Sequence, residues 1–197
     1  FYLTGRFEEA SAFSDELVPK IRTTTEKAEL YLTRIVIASN RGEYQRAVQF
    51  GREALAILGH PVPETLSALG QAVADAQNAL ITAPYSDDLT VCAESRDPAI
   101  HSVAKILATV SLAAFICDKP LVMWIIHYHR YLVSTYGLTG ASAAMNLQYA
   151  VWLVGAKRDY QRALAYGERA LSLVVRPSAA GQRCFVTRSE ERRVGKE

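Results

Sequence analysis

The sequence predicts an all-α fold of antiparallel helix hairpins stacked as an α-solenoid. Three observations carry this. Apolar residues recur at three- and four-residue steps through most of the 197 residues, and no run alternates with the period of a strand. Gly42, Gly59, Pro61, Gly137 and Pro177 punctuate the periodic segments as stop signals. One fourteen-residue segment also recurs more than a hundred residues later. Half the residues are apolar and 21% charged, enough for a sizeable core and incompatible with disorder over the whole length. A net charge of +2 argues against a nucleic-acid groove. Three cysteines without a CxxC argue against a disulfide framework and for a reducing, cytoplasmic compartment.

The elements follow in order. A helix from Glu26 to Ser39 carries a broad apolar stripe (Ala28, Leu30, Tyr31, Leu32, Ile35, Val36, Ala38). Thr23, Thr24 or Thr25 can cap it, with Glu26 in the first turn where the helix dipole favours an anion. Gly42 breaks it, and a second helix runs to Leu58, stopped by Gly59 and Pro61. Glu64 to Ile81 reads as an amphipathic helix with Leu66, Leu69, Val73, Ala76 and Leu80 inward. A loop spans Pro84 to Pro98. Asp97 caps a helix with Pro98 at its first position, running to Cys117. Asp118-Lys119-Pro120 punctuates, Leu121 to Tyr136 forms the next helix, and Gly137 ends it. A last pair covers Ala141 to Val154 and Tyr160 to Val175, closed by Pro177.

Residues Gly42 to Leu55 align with Arg158 to Leu171, with seven of fourteen positions identical. Val48 matches Leu164 and Phe50 matches Tyr166. Gly5-Arg6-Phe7-Glu8-Glu9-Ala10 is a weaker copy, 37 residues before Gly42 and close to the tetratricopeptide period of roughly 34 residues. In such repeats small alanines beside an aromatic let two antiparallel helices approach closely. The organisation is then helical repeats over 1–60, a helix and loop over 61–96, helical repeats over 97–176 and a linker over 177–187.

Arg188 to Glu197 lacks any period and resembles the in-frame translation of a common sequencing adapter. The expectation is that this tail is not native and that the chain is a piece of a longer product, interrupted near Thr187 and missing its start.

Few residues could carry chemistry. His127 and His129 are two apart on a helix and point to different faces, whereas a helical metal pair needs a spacing of four. His60 and His101 have no further candidate ligand at metal-binding spacing in the sequence. Cys92, Cys117 and Cys184 lack a nucleophile setting, and Cys117 at a helix end reads as a small buried apolar residue. Trp124 and Trp152 sit at helical spacing among aliphatics and read as core. No GxxxxGK[ST] or GxGxxG is present to cradle phosphate. Charged residues pair along solvated faces, Glu43 with Arg46 and Glu168 with Arg169. The most apolar run, Val103 to Tyr128, is cut by Lys105 and by Asp118-Lys119-Pro120, which argues against membrane insertion. The expectation is no catalytic, cofactor-binding or metal-binding residue.

The style of Tyr31-Leu32 through Gly42-Glu43-Tyr44-Gln45-Arg46-Ala47 and Gly51-Arg52-Glu53-Ala54-Leu55 to His60-Pro61-Val62-Pro63 is similar to one particular region. It resembles the tetratricopeptide-like segment following the AAA/STAND-type ATPase module of very large signalling proteins. Asp97-Pro98, Pro120-Leu121, Tyr136-Gly137-Leu138-Thr139 and Ala141-Ser142-Ala143 extend the likeness, which covers roughly Phe1 to Val175. The resemblance implies a parent with serine/threonine-kinase-like, ATPase, GAF and sensor histidine kinase modules. It implies that this piece is a non-catalytic scaffold whose partners are those modules and proteins docking on a concave surface. A stand-alone helical ligand-binding protein or enzyme, with a site between helices, is the alternative.

Overall fold

A computed structural model describes residues 6–81 and 88–176, together with the backbone only of Leu89. Eight α-helices are present among them: α1 (Phe7–Leu17), α2 (Thr24–Asn40), α3 (Tyr44–Ile57), α4 (Leu66–Ile81), α5 (Pro98–Cys117), α6 (Lys119–Tyr136), α7 (Ser142–Trp152) and α8 (Tyr160–Val174). No strand occurs among the described residues, so the all-α reading holds. The linker, the adapter-like tail and Cys184 lie outside them. The chain divides into two compact units, 1–73 with 105–125 and 74–104 with 126–197.

In the first unit α2 packs against α3, and α1 against α2. Of the three threonines, Thr23 is the cap. Its Oγ1 accepts from the Glu26 amide at 3.2 Å and donates to the Glu26 carboxylate at 2.6 Å, so each end of the pair satisfies the other. Gly42 ends α2 in the left-handed region (φ +76°), which lets the Glu43 amide donate back to the Ala38 carbonyl at 2.9 Å. Gly59 (φ +80°) repeats this at the end of α3, where the His60 amide donates to the Leu55 carbonyl at 2.8 Å. Ala47 and Ala54 are fully buried. Arg34 bridges from α2 to Asp15 of α1 at 2.5 Å.

In the second unit α7 packs against α8. Asp97 caps α5 as its sequence predicts, accepting from the Ala99 amide at 2.8 Å. Gly137 (φ +97°) ends α6, and a β-carbon there would lie 2.4 Å from the Ala93 carbonyl oxygen. Only glycine fits this approach, which the Leu138 amide completes by donating to the same carbonyl at 2.8 Å. Leu80, Cys92, Val133, Leu138, Ala143, Leu147, Ala170, Leu173 and Val174 form the core of this unit.

Three expectations need correction. Leu66 is exposed, because it opens the first turn of α4 beyond the residues that pack. Cys117 is exposed rather than buried, since it lies on the outward side of the last turn of α5 with Phe115 and Ile116. Arg169 does not pair with Glu168. Its guanidinium turns to Asp88 at 3.5 Å and covers the Tyr166 ring.

Candidate functional site: a buried aromatic and guanidinium cluster

The strongest concentration of polar chemistry lies in the second unit, where α6, α7 and α8 meet. His127 and Arg130 are three apart on α6, Tyr149 and Trp152 three apart on α7, so each pair shares a face. Tyr166 comes from α8. Tyr149 stacks on Trp152 with centroids 5.3 Å apart and meets the Tyr166 ring edge-on at 4.6 Å. The Arg130 guanidinium lies 4.4 Å from the Tyr149 ring and 5.0 Å from that of Tyr166, and donates to the Tyr166 hydroxyl at 2.8 Å. His127 meets Trp152 edge-on at 5.4 Å, and its Nε2 sits 3.1 Å from the Gln77 amide nitrogen.

Burial controls the protonation here. Loss of solvent, then the charges of Arg130 and Lys157, lowers His127 to about 4. Complete burial, then Arg130, lowers His129 to about 3. Both imidazoles are therefore neutral at pH 7, and His127 Nδ1 and His129 Nε2 have no hydrogen-bond partner among the described residues. Burial also pushes the Tyr128 phenol up to about 12, with the neighbouring Tyr131 and Tyr136 adding to it. A guanidinium held between phenol rings binds helices together through cation–π and hydrogen-bond energy. That is what this arrangement does chemically: it fastens α6, α7 and α8.

A related cluster occurs in the first unit. Tyr31 of α2 meets Phe50 of α3 edge-on at 6.3 Å, and the Arg34 guanidinium covers Phe50 at 4.0 Å. Phe50 and Tyr166 are aligned positions, so each hairpin pairs a first-helix tyrosine with a second-helix ring beneath an arginine. Sequence reasoning missed Arg34, Arg130 and this pairing. The signal was present: Tyr149 precedes Tyr160 by two residues fewer than Tyr31 precedes Tyr44, so the repeat extends upstream only across a gap. The connection in the second hairpin runs through a π turn over Leu153–Lys157.

The other singled-out residues are scattered. Trp124 is core, His101 Nε2 lies 2.9 Å from the Ser95 carbonyl, and burial, then the charge of Asp88, pushes the Cys92 thiol up. An open cleft of about 440 Å³ is lined by Arg6, Phe7, Glu8, Glu9, Arg41 and Glu43. Among the described residues no three His, Cys, Asp or Glu side chains are placed to hold a metal ion. No protein-family model, curated protein or solved structure matches this chain.

Proposed function

We propose that the chain is a non-catalytic, tetratricopeptide-like scaffold segment of a large cytoplasmic signalling protein that combines ATPase and kinase modules. Its role is to relay state between those modules and to hold protein partners on the concave side of a stacked array. One observation carries this: α2–α3 and α7–α8 are two copies of one hairpin, with the same face of the second helix turned inward. Ala47, Phe50, Gly51 and Ala54 are buried in the first copy, as are Ala163, Tyr166, Gly167 and Ala170 in the second. Repetition of a packing unit is how solenoids build extended binding surfaces from short elements. The ATPase and kinase parentage rests on the resemblance of residues 1–175 to the region that follows the ATPase module.

The test has two parts. The purified 197-residue chain is assayed for ATP turnover and phosphotransfer against a heat-inactivated control, with neither expected. The genomic frame is then read in both directions, with a phosphate-binding GxxxxGK[ST] expected upstream and a histidine kinase region downstream. Turnover by the chain itself, or a frame lacking both modules, overturns the reading.

A further inference from the structure

The end of α4 lies over a buried imidazole. In residues 74–81 the side chains of Ala76 and Leu80 are buried, while Gln77 and Asn78 between them are exposed. Gln77 therefore stands between solvent and His127, whose ring Nε2 lies 3.1 Å from the Gln77 amide nitrogen. An amide NH2 only donates, so Nε2 accepts and the ring hydrogen sits on Nδ1. There it meets no acceptor among the described residues.

A second proton has one place to go on this ring, the Nε2 lone pair that Gln77 occupies. Its arrival turns the hydrogen bond between α4 and α6 into two N–H groups facing each other. Turning the Gln77 amide over would offer its oxygen, but would leave Nδ1–H and a full positive charge unmet in a buried site. The surroundings supply nothing for that charge. Tyr149 and Trp152 of α7 meet the ring edge-on at 6.0 and 5.4 Å. The charges acting on it, Arg130 of α6 and Lys157 of the π turn, are both cationic. Asp75, the carboxylate in this stretch of α4, is exposed and two residues from Gln77, so it points to another side of the helix.

We propose that His127 is an acid-operated latch, whose protonation lets residues 74–81 swing off α6 while α6, α7 and α8 stay packed together. The contacts that join those three helices, the Arg130 guanidinium on the Tyr149 and Tyr166 rings, involve neither Nε2 nor Gln77 and survive the opening. What acid uncovers is the apolar side of α4 at Ala76 and Leu80, together with the imidazole itself. The opening is local, and so differs from a loss of stability by the whole unit. It does not depend on the scaffold reading.

The experiment follows hydrogen exchange of the 197-residue chain by mass spectrometry at about pH 7.5 and pH 5, with times corrected for the intrinsic amide rate. The ring takes up its proton near the ordinary 6.5 when open and at about 4 when closed, so residues 74–81 open about thirty-fold more at the lower pH. Amides of α8 report the whole unit and stay better protected at both. Gln77→Glu, a change at an exposed site, puts a carboxylate beside Nε2 to accept from the imidazolium, and removes most of the acceleration. His127→Asn removes the titration and flattens it as well. The proposal is overturned if residues 74–81 open no faster at pH 5, or open in step with α8. Acceleration in Gln77→Glu equal to that of the unsubstituted chain also overturns it.

Discussion

Arg158 holds φ at +53°, a left-handed conformation that the Cβ of an arginine tolerates poorly, and it occupies the position of Gly42 in the first copy. Its side chain is exposed. Arg158→Gly removes the strain at some cost in unfolded-state entropy, for a net stabilisation of about 0.5–1 kcal/mol read as a rise in thermal midpoint. Gly42→Ala should lower that midpoint, and opposite signs at two aligned positions make the pair a stringent check. The strained residue was legible only through the alignment, because nothing in the amino-acid type of Arg158 marks it. The buried histidines make a second prediction. Above about pH 7.5 both are neutral folded and unfolded, and they add nothing to the pH dependence. Below it the unfolded chain takes up protons that folded His127 and His129 refuse until about 4 and 3. Stability therefore falls as pH drops from about 6.5 towards 4 for His127 and 3 for His129, by up to roughly 1.4 kcal/mol per unit for each histidine. Unfolding midpoints across that window should flatten in a His127→Asn, His129→Asn double variant. Their burial was hidden in the sequence, since a spacing of two on a helix places them on different faces. Both are nevertheless 2% exposed, His127 lying against Gln77, Tyr149 and Trp152.

The helices themselves were read from punctuation, and that succeeded where a single residue's geometry decides the boundary. Asp97 with Pro98, Gly42, Gly59 and Gly137 each stop or start a helix within a residue or two of where the sequence places the break. The π turn at Leu153–Lys157 was not legible, because no residue type in Leu153-Val154-Gly155-Ala156-Lys157 marks an i→i+5 turn. Periodicity also failed to show which apolar positions would find a neighbour. Leu66 and Leu164 keep the helical period and stay exposed. Where a neighbour is found, the fit is tight, and substitutions should report it. Gly51→Ala gains about 1 kcal/mol of helix propensity but drives a β-carbon into Val110, whose branched side chain is itself buried. Overpacking costs typically about 1–3 kcal/mol, so the net change should be a lower unfolding midpoint. Gly51→Ala combined with Val110→Ala should fall short of the sum of the two single losses, since the second change opens the space the first one needs. Ala47→Leu and Ala163→Leu, each on the inward face of a hairpin, should likewise lower the midpoint by about 1–3 kcal/mol. An unchanged midpoint in both would remove the packing role given to those alanines.

For the whole molecule, the decisive question is where its most apolar helix belongs. α5 is twenty residues long and apolar enough to cross a bilayer by length and composition. A spanning helix meets lipid all round, whereas α5 is divided lengthwise. Val103, Ala104, Ile106, Leu107, Val110, Ala113 and Ala114 are all buried, and Val110 seats against Gly51 with no room for a β-carbon between them. Lys105 on the outward side pairs with Glu29 at 3.0 Å, and Leu112, Phe115 and Ile116 remain exposed beyond it. Moving α5 into lipid would strip the buried side from these neighbours and exchange protein packing for hydrocarbon of equal polarity, so only the exposed Leu112, Phe115 and Ile116 would gain apolar burial. It would also carry Lys105 away from its carboxylate, a charge costing about 2.5–3.5 kcal/mol at the centre of a spanning helix. The expected outcome is that the purified chain stays in solution when mixed with phosphatidylcholine vesicles and floated through a density gradient. Amides of Val103 to Ala114 should exchange with solvent deuterium equally slowly with and without lipid. Flotation together with lipid-dependent protection of Leu112 to Ile116 would instead assign that exposed apolar end to a membrane surface.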